Sequence, residues 1–191
     1  MSFCTKDFCK HCICFKPKVF KLDPDNHTVL DSFVPDSDIR INGLVGHNLI
    51  NLLSESEFFC FKIDKFLTNI LELIINKVKN KKYSFKTIFT AYANNELKML
   101  EIRFDFIEDY ILSSIRNVAN IENREEWEKR HDTGEFVKIC AWCNKFFYNA
   151  KFQSLDKVVY ETDLFERGVI PTFTHGICEE CKNKVFGEYL N

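Results

Sequence analysis

At 191 residues and 46% hydrophobic content, the chain can bury at least one real core, so disorder is not the default. Lys and Arg total 26 against 28 Asp and Glu, a formal charge of -2 that gives no global attraction to phosphate and makes nucleic acid a minority reading. A membrane helix needs about 18–20 uninterrupted apolar residues, and the best candidate, Ile70 to Val78, is broken by Glu72, Asn76 and Lys77.

The N-terminus, Met1 to Asp7, lacks a basic segment followed by an apolar one, which predicts no secretory signal and a cytoplasmic home. In a reducing compartment nine Cys suit metal ligation or free thiols better than a disulfide framework. Residues 1–16 carry Cys4, Cys9, Cys12 and Cys14 with His11 among them. Three readings stay open: a second zinc or an iron–sulfur cluster, exposed redox-reactive thiols, or no specific role. Lys18 to Leu22 and Thr28 to Val34 are short β-rich runs around Asp23-Pro24-Asp25-Asn26-His27, which predicts a hairpin. From Ile63, the residues Phe66, Leu67, Ile70, Leu71, Ile74 and Val78 recur at steps of three and four, predicting one amphipathic helix that ends near Asn80. Cys60, near its start, is expected to be packed. Tyr83 to Tyr92, the alternating Leu100 to Phe106, and Tyr110 to Val118 predict three consecutive strands, with turns at Ala93–Glu96 and Glu108–Asp109. Ile121 to Arg130 is charged and helix-favouring around Trp127, and reads as a solvated connecting helix or, alternatively, a dimerising signalling helix.

The strongest chemical signal lies in the last quarter. Cys140-Ala141-Trp142-Cys143 and Cys178-Glu179-Glu180-Cys181 are two Cys-x-x-Cys pairs. A two-residue gap lets a turn direct both thiolates at one tetrahedral ion, and two pairs complete the shell of a closed structural zinc site. Zinc is favoured over iron because nothing around the pairs suggests redox specialisation. Lys145 to Tyr148 and Val158 to Tyr160 are candidate strands, and Glu179 to Leu190 a candidate helix, which together predict a treble-clef-like finger. His175 could replace one thiolate or accept a hydrogen bond beside the site. A thioredoxin-like role for Cys140 and Cys143 lacks the expected βαβ setting.

Three segments of residues 17–130 give a resemblance to the PAS family of sensory domains. They are Phe20 to Asp25, Leu44 to Leu53 with Gly46, and Ser114-Ile115-Arg116-Asn117-Val118-Ala119. The last falls where many members carry Asp-Ile-Thr, and Asn117 and Ala119 stand at two of those places here. The C-terminal segments Val137 to Cys143 and Phe173 to Cys181 are similar to a zinc-binding module that follows PAS or receiver domains in bacterial signalling proteins. The resemblance implies an α+β chain: an antiparallel five-stranded PAS-like sheet with helices on one side, a linker helix, and a small treble-clef-like zinc module. The expected divisions are a Cys-rich segment 1–16, a PAS-like domain 17–119, a linker 120–136 and a zinc module 137–191.

Cofactor expectations are structural zinc, a possible second N-terminal metal, and neither haem nor flavin. The helix from Ile63 to Asn80 has no His, His27 and His47 read as turn or surface residues, and the flavin-binding Asn-Cys-Arg segment is absent. No Gly-rich phosphate loop, kinase signature or Ser-His-Asp constellation is visible, so no enzyme is expected. The reading is a non-enzymatic sensor or adaptor with a signalling protein partner, with a homodimer through the PAS domain and linker helix as one option and, if the domain binds anything, a small apolar or amphipathic ligand between sheet and helix. Alternatives are a nucleic-acid-binding regulatory zinc protein using Lys145, Lys151, Lys157, Lys182 and Lys184, or a thiol or metal redox sensor using the N-terminal Cys cluster.

Overall fold

The computed structural model describes residues 17–35, 41–55, 61, 63–93, 96–120, 136–166 and 170–187. The expected N-terminal metal cluster, Cys60 and the Ile121–Arg130 helix lie outside the described residues.

Strands β1 (Lys18–Leu22) and β2 (Val29–Phe33) form the expected hairpin. The Asp23 carboxylate closes its turn by accepting the backbone N–H groups of Asp25 and Asn26 at 2.8 and 3.2 Å. Thr28 leaves the strand to bridge Asn48 instead. Helix α1 (Leu49–Ser54) starts at Asn48, whose side chain accepts the Asn51 N–H at 3.1 Å. Helix α2 (Lys65–Lys81) begins two residues after the apolar pattern does, because the Asp64 carboxylate accepts the Leu67 N–H at 2.9 Å and fixes the N-cap there. It ends where Lys82 turns left-handed, with φ 51°.

Strands β3 (Ser84–Ala93), β4 (Glu96–Ile107) and β5 (Tyr110–Asn120) are the expected meander. Together with the hairpin they give an antiparallel five-stranded sheet in the order β2-β1-β5-β4-β3. The pairings Phe20↔Ser113, Ser113↔Phe104 and Phe104↔Phe85 lay four buried side chains in one row on the face toward the helices. On the other face Glu101 joins Arg116 through two hydrogen bonds of 2.7 and 3.0 Å and pairs with Lys86 at 3.3 Å, a charged ladder typical of a wet sheet surface.

The C-terminal part builds a second sheet in the order β8-β7-β6-β9, from β6 (Phe136–Cys140), β7 (Phe146–Tyr148), β8 (Lys151–Gln153) and β9 (Thr172–Gly176). β9 lies parallel to β6. The strand expected at Val158–Tyr160 is instead helix α3 (Leu155–Glu161). A short apolar run does not distinguish the two, and here Leu155, Val158 and Val159 fall on one helical face, with both valines buried. Helix α4 spans Glu179–Gly187, and the remainder of the expected Glu179–Leu190 helix lies outside the described residues.

One continuous core joins the two sheets. It runs from Phe20, Leu22 and Phe104 through Ile70 and Ile74 of α2 to Val137, Phe146, Val158 and Phe165. Phe66 of α2 stacks on Phe146 at 5.6 Å and meets Phe173 edge-on at 5.1 Å. Beyond side chains, the Ile170 N–H donates to the Ile88 carbonyl at 3.1 Å, stitching the connection into β9 onto β3. No helix among the described residues is long and apolar enough to cross a membrane.

Candidate metal centre

Strand β6 delivers Cys140 at its last position, where the chain turns back toward β7. The turn is locked twice: the Cys140 N–H donates to the Lys145 carbonyl at 2.8 Å, and the Asn144 N–H donates to the Cys140 carbonyl at 2.9 Å. Asn144 sits at φ 56°, a left-handed conformation that Asn adopts more readily than most residues. The result is a knuckle with Cys140 buried and Cys143 exposed. The second pair comes from the start of α4. Cys178 directly precedes the helix, and its sulfur accepts the Cys181 N–H at 3.4 Å, taking the position of an N-cap side chain. The Cys178 N–H in turn donates to the Cys140 sulfur at 3.4 Å.

All four sulfurs lie within 4.8 Å of one another, and Cys143 Sγ and Cys178 Sγ are 3.7 Å apart. Zinc–sulfur bonds of about 2.3 Å in a tetrahedron place sulfurs about 3.8 Å apart, so the spacing fits a four-thiolate ion. Electrostatics point the same way. Burial pushes the Cys140 thiol up, but backbone N–H bonds from Cys178, Cys143 and Trp142 outweigh it and bring the group down to about 6. Burial and then the neighbouring sulfurs drive Cys181 up to about 12. A divalent cation at the centre of the cluster would supply the charge that stabilises thiolates there.

Around the sulfurs, Lys145 of the knuckle pairs with Glu180 of α4 at 2.5 Å, and Lys184 reaches the same carboxylate at 3.5 Å. Lys182 pairs with Glu179 at 3.4 Å and Lys157 with Glu161 at 3.7 Å. Four of the five lysines considered for phosphate binding thus face carboxylates, while Lys151 is exposed on β8. His175 is exposed on β9 and is not one of the mutually close ligand atoms. His47 is exposed as expected, whereas His27, expected at a turn or surface, is buried in its turn. There it adopts φ 59°. Its imidazole is held below the usual histidine range by burial, against opposing effects of Glu72, Asn76 and Asp23.

The contact between Lys77 and Glu166 lies outside the expectations from residue order. Lys77 is 3% exposed, donates to the Val159 and Thr162 carbonyls at 2.8 and 3.3 Å, and pairs with the Glu166 carboxylate. Its position four residues beyond Leu73 and seven beyond Ile70, on the same side of the helix, is the one available signal.

No family model matches the chain, and no curated protein matches it. Two solved structures of the Cronobacter turicensis RpfR quorum-sensing receptor PAS domain are similar, one in complex with BDSF and one with C12:0. Each aligns with a TM-score of 0.41 at 10% identity, covering 55% of this chain and 95% of theirs. The body is a five-stranded antiparallel sheet with helices packed on one face, the arrangement that the resemblance to PAS domains implies. Joined to it is a cysteine cluster able to hold a metal ion.

Proposed function

We propose that the protein is a non-enzymatic signal-transduction sensor or adaptor, in which a PAS-like body is coupled to a structural zinc module that engages a protein partner. The observation that carries the reading is the convergence of four thiols at tetrahedral spacing. Four protein ligands close the shell and leave no position for a reactive water, which favours a structural over a catalytic ion. Cys140, Cys143, Cys178 and Cys181 would hold it, and the ion would fix the ends of β6 and α4 relative to each other. The exposed Trp142 and Phe147 of the knuckle and β7 support a protein-facing surface on the module. Local pairing of Lys145, Lys157, Lys182 and Lys184 with carboxylates weighs against a phosphate-binding face.

The decisive test is metal content of the full chain purified without oxygen, with cobalt substituted to report the ligand set. Above the metal retained by a variant lacking all four cysteines, the expected result is one further ion per chain with the absorption of a four-thiolate site. A three-thiolate spectrum with an exchangeable water would overturn the structural assignment, and no additional ion would overturn the reading as a whole.

A small apolar or amphipathic ligand for the body has its own support. The hydroxyls of Thr87 and Ser113 lie on the inner face of the sheet, fully buried and without a hydrogen-bond partner among the described residues. Buried hydroxyls of that kind are costly unless something accepts or donates to them. Thermal shift with 1-decanol as probe, compared between the natural chain and Thr87→Val, tests it: a shift lost in the variant is expected, and equal responses would refute it.

A further inference from the structure

Helix α2 is held from two sides, and the second holder is the metal module. Toward the N-terminal end of the helix, Phe66 packs against both Phe146 of β7 and Phe173 of β9, whose rings also meet each other. Toward its C-terminal end, Lys77 is buried with all of its observed acceptors drawn from one segment, 159–166, between β8 and β9. Two of them are carbonyls at the C-terminal end of α3, where helix carbonyls have no internal donor and carry partial negative charge. A buried ammonium group tolerates its position only while such partners stay in place. The same segment meets the second sheet through Phe165, whose ring lies 6.1 Å from that of Phe146 on β7, and in that sheet β9 runs parallel to β6 and leads in two residues from Gly176 to Cys178. β6 itself ends in Cys140. In the sheet β6 lies between β7 and β9, so the strand that ends in Cys140 is flanked by the strands that hold Phe146 and Phe173, the ring partners of Phe66.

We propose that metal occupancy is read out at helix α2: a filled thiolate site holds segment 159–166 against Lys77, and loss of the metal loosens α2 from that side. The inference rests on the zinc reading above. Coupling of this kind is reciprocal, so cutting the acceptors of Lys77 weakens metal binding by the factor by which metal steadies the helix.

The test uses the full chain, loaded with zinc or stripped by a chelator, and follows amide hydrogen exchange while zinc affinity is measured by competition with a chromogenic chelator. Stripping is expected to speed exchange about tenfold in residues 65–81 as well as in the module. Lys77→Met is expected to weaken zinc binding about tenfold, and Glu166→Gln to do so by a smaller factor. Lys79→Met, on the same helix but pairing with Asp25 in the β1–β2 turn, is expected to leave it unchanged. Should Lys77→Met not fold, Glu166→Gln and the stripped natural chain still decide the matter. A chain that binds zinc while α2 exchanges equally with and without it overturns the coupling alone. A chain that takes no zinc at the four cysteines overturns both readings.

Discussion

Two adjacent phenylalanines on β7 separate the packing argument from simple hydrophobicity. Phe146 is fully buried and its ring meets three others: Phe66 at 5.6 Å, Phe173 at 5.7 Å and Phe165 at 6.1 Å. Phe147, one residue on, points the other way, is 41% exposed, and touches Phe152 edge-on at 5.2 Å. Truncating a buried Phe to Ala costs about 3–5 kcal/mol through lost transfer energy and the cavity left behind. Three aromatic partners, each pair contributing about 0.5–1.5 kcal/mol beyond area, place Phe146→Ala in the upper part of that range. Phe146→Leu keeps most of the volume but loses the ring pairs, and about 2 kcal/mol is expected. Phe147→Ala loses one exposed contact and the Lys138 ammonium 5.6 Å from its ring, for a cost below about 1 kcal/mol. Urea unfolding of the zinc-saturated chain measures all three, with an unchanged m-value required for the comparison. Equal losses for Phe146→Ala and Phe147→Ala would refute the idea that Phe146 is the joint between the second sheet and α2.

Other consequences are smaller and independent. Ala150 sits at φ 62° in the β7–β8 turn beside Asn149 at 51°, where a side chain other than Gly or Asn is strained. Ala150→Gly is expected to stabilise the chain by about 0.5–1 kcal/mol, read as a rise in urea midpoint; a fall would mean that unfolded-chain entropy dominates. Because burial depresses the His27 imidazole, the unfolded chain binds the proton more readily, so this residue's contribution is constant above about pH 6.5 and stability is lost as pH drops below it. His27→Asn keeps a side chain tolerant of the left-handed turn, and its unfolding midpoint is expected to fall less between pH 7.5 and 5.5 than that of the natural chain; equal slopes would exclude His27 as the source. For Glu101, hydrogen bonding from Arg116 holds the carboxyl below the usual range, so its stabilisation is full above about pH 4.5 and fades as pH falls. Glu101→Gln should therefore cost about 1 kcal/mol at pH 7 and progressively less toward pH 3, since its partners are half exposed; a cost independent of pH would refute the ion-pair explanation.

What could be read from residue order was whatever a local pattern specifies. The hairpin, α2 and the meander follow from turn chemistry and from periods of two and 3.6, and they emerge within one or two residues of expectation at most ends. The convergence of Cys140, Cys143, Cys178 and Cys181 was legible because each pair is a local turn with a known ligand geometry. The rest depends on tertiary company. Val158 and Val159 are β-branched and adjacent, so their propensity suggests a strand; burial on the α2 side makes them helical. β9 pairs in parallel with β6, across more than thirty residues of chain, and parallel pairing leaves no hairpin signature at its ends. Lys77 reads as solvent-facing by type and is buried because distant carbonyls meet it. His27 likewise reads as a turn residue, which it is, while its burial follows from the packing of that turn against the polar flank of α2.

The breadth of burial on α2 explains why the two sheets share a core. A helix that covers one sheet needs an apolar stripe of roughly 100°. At 100° per residue, the buried positions from Lys77 through Ile70, Ile74, Leu67, Val78, Leu71 and Ile75 to Thr68 sweep about half of the circumference. One layer does not account for that arc, and the half-buried Phe66 and Leu73 extend it on the Lys77 side. There the covering surface is α3 with β7 and β9. The helix is thus a wall common to both sheets, apolar where rings meet and charged at the one place where helix-end carbonyls require a donor. On the proposed coupling, an ion held by the four cysteines would act on the first sheet through Lys77, a side chain that neither sheet contains.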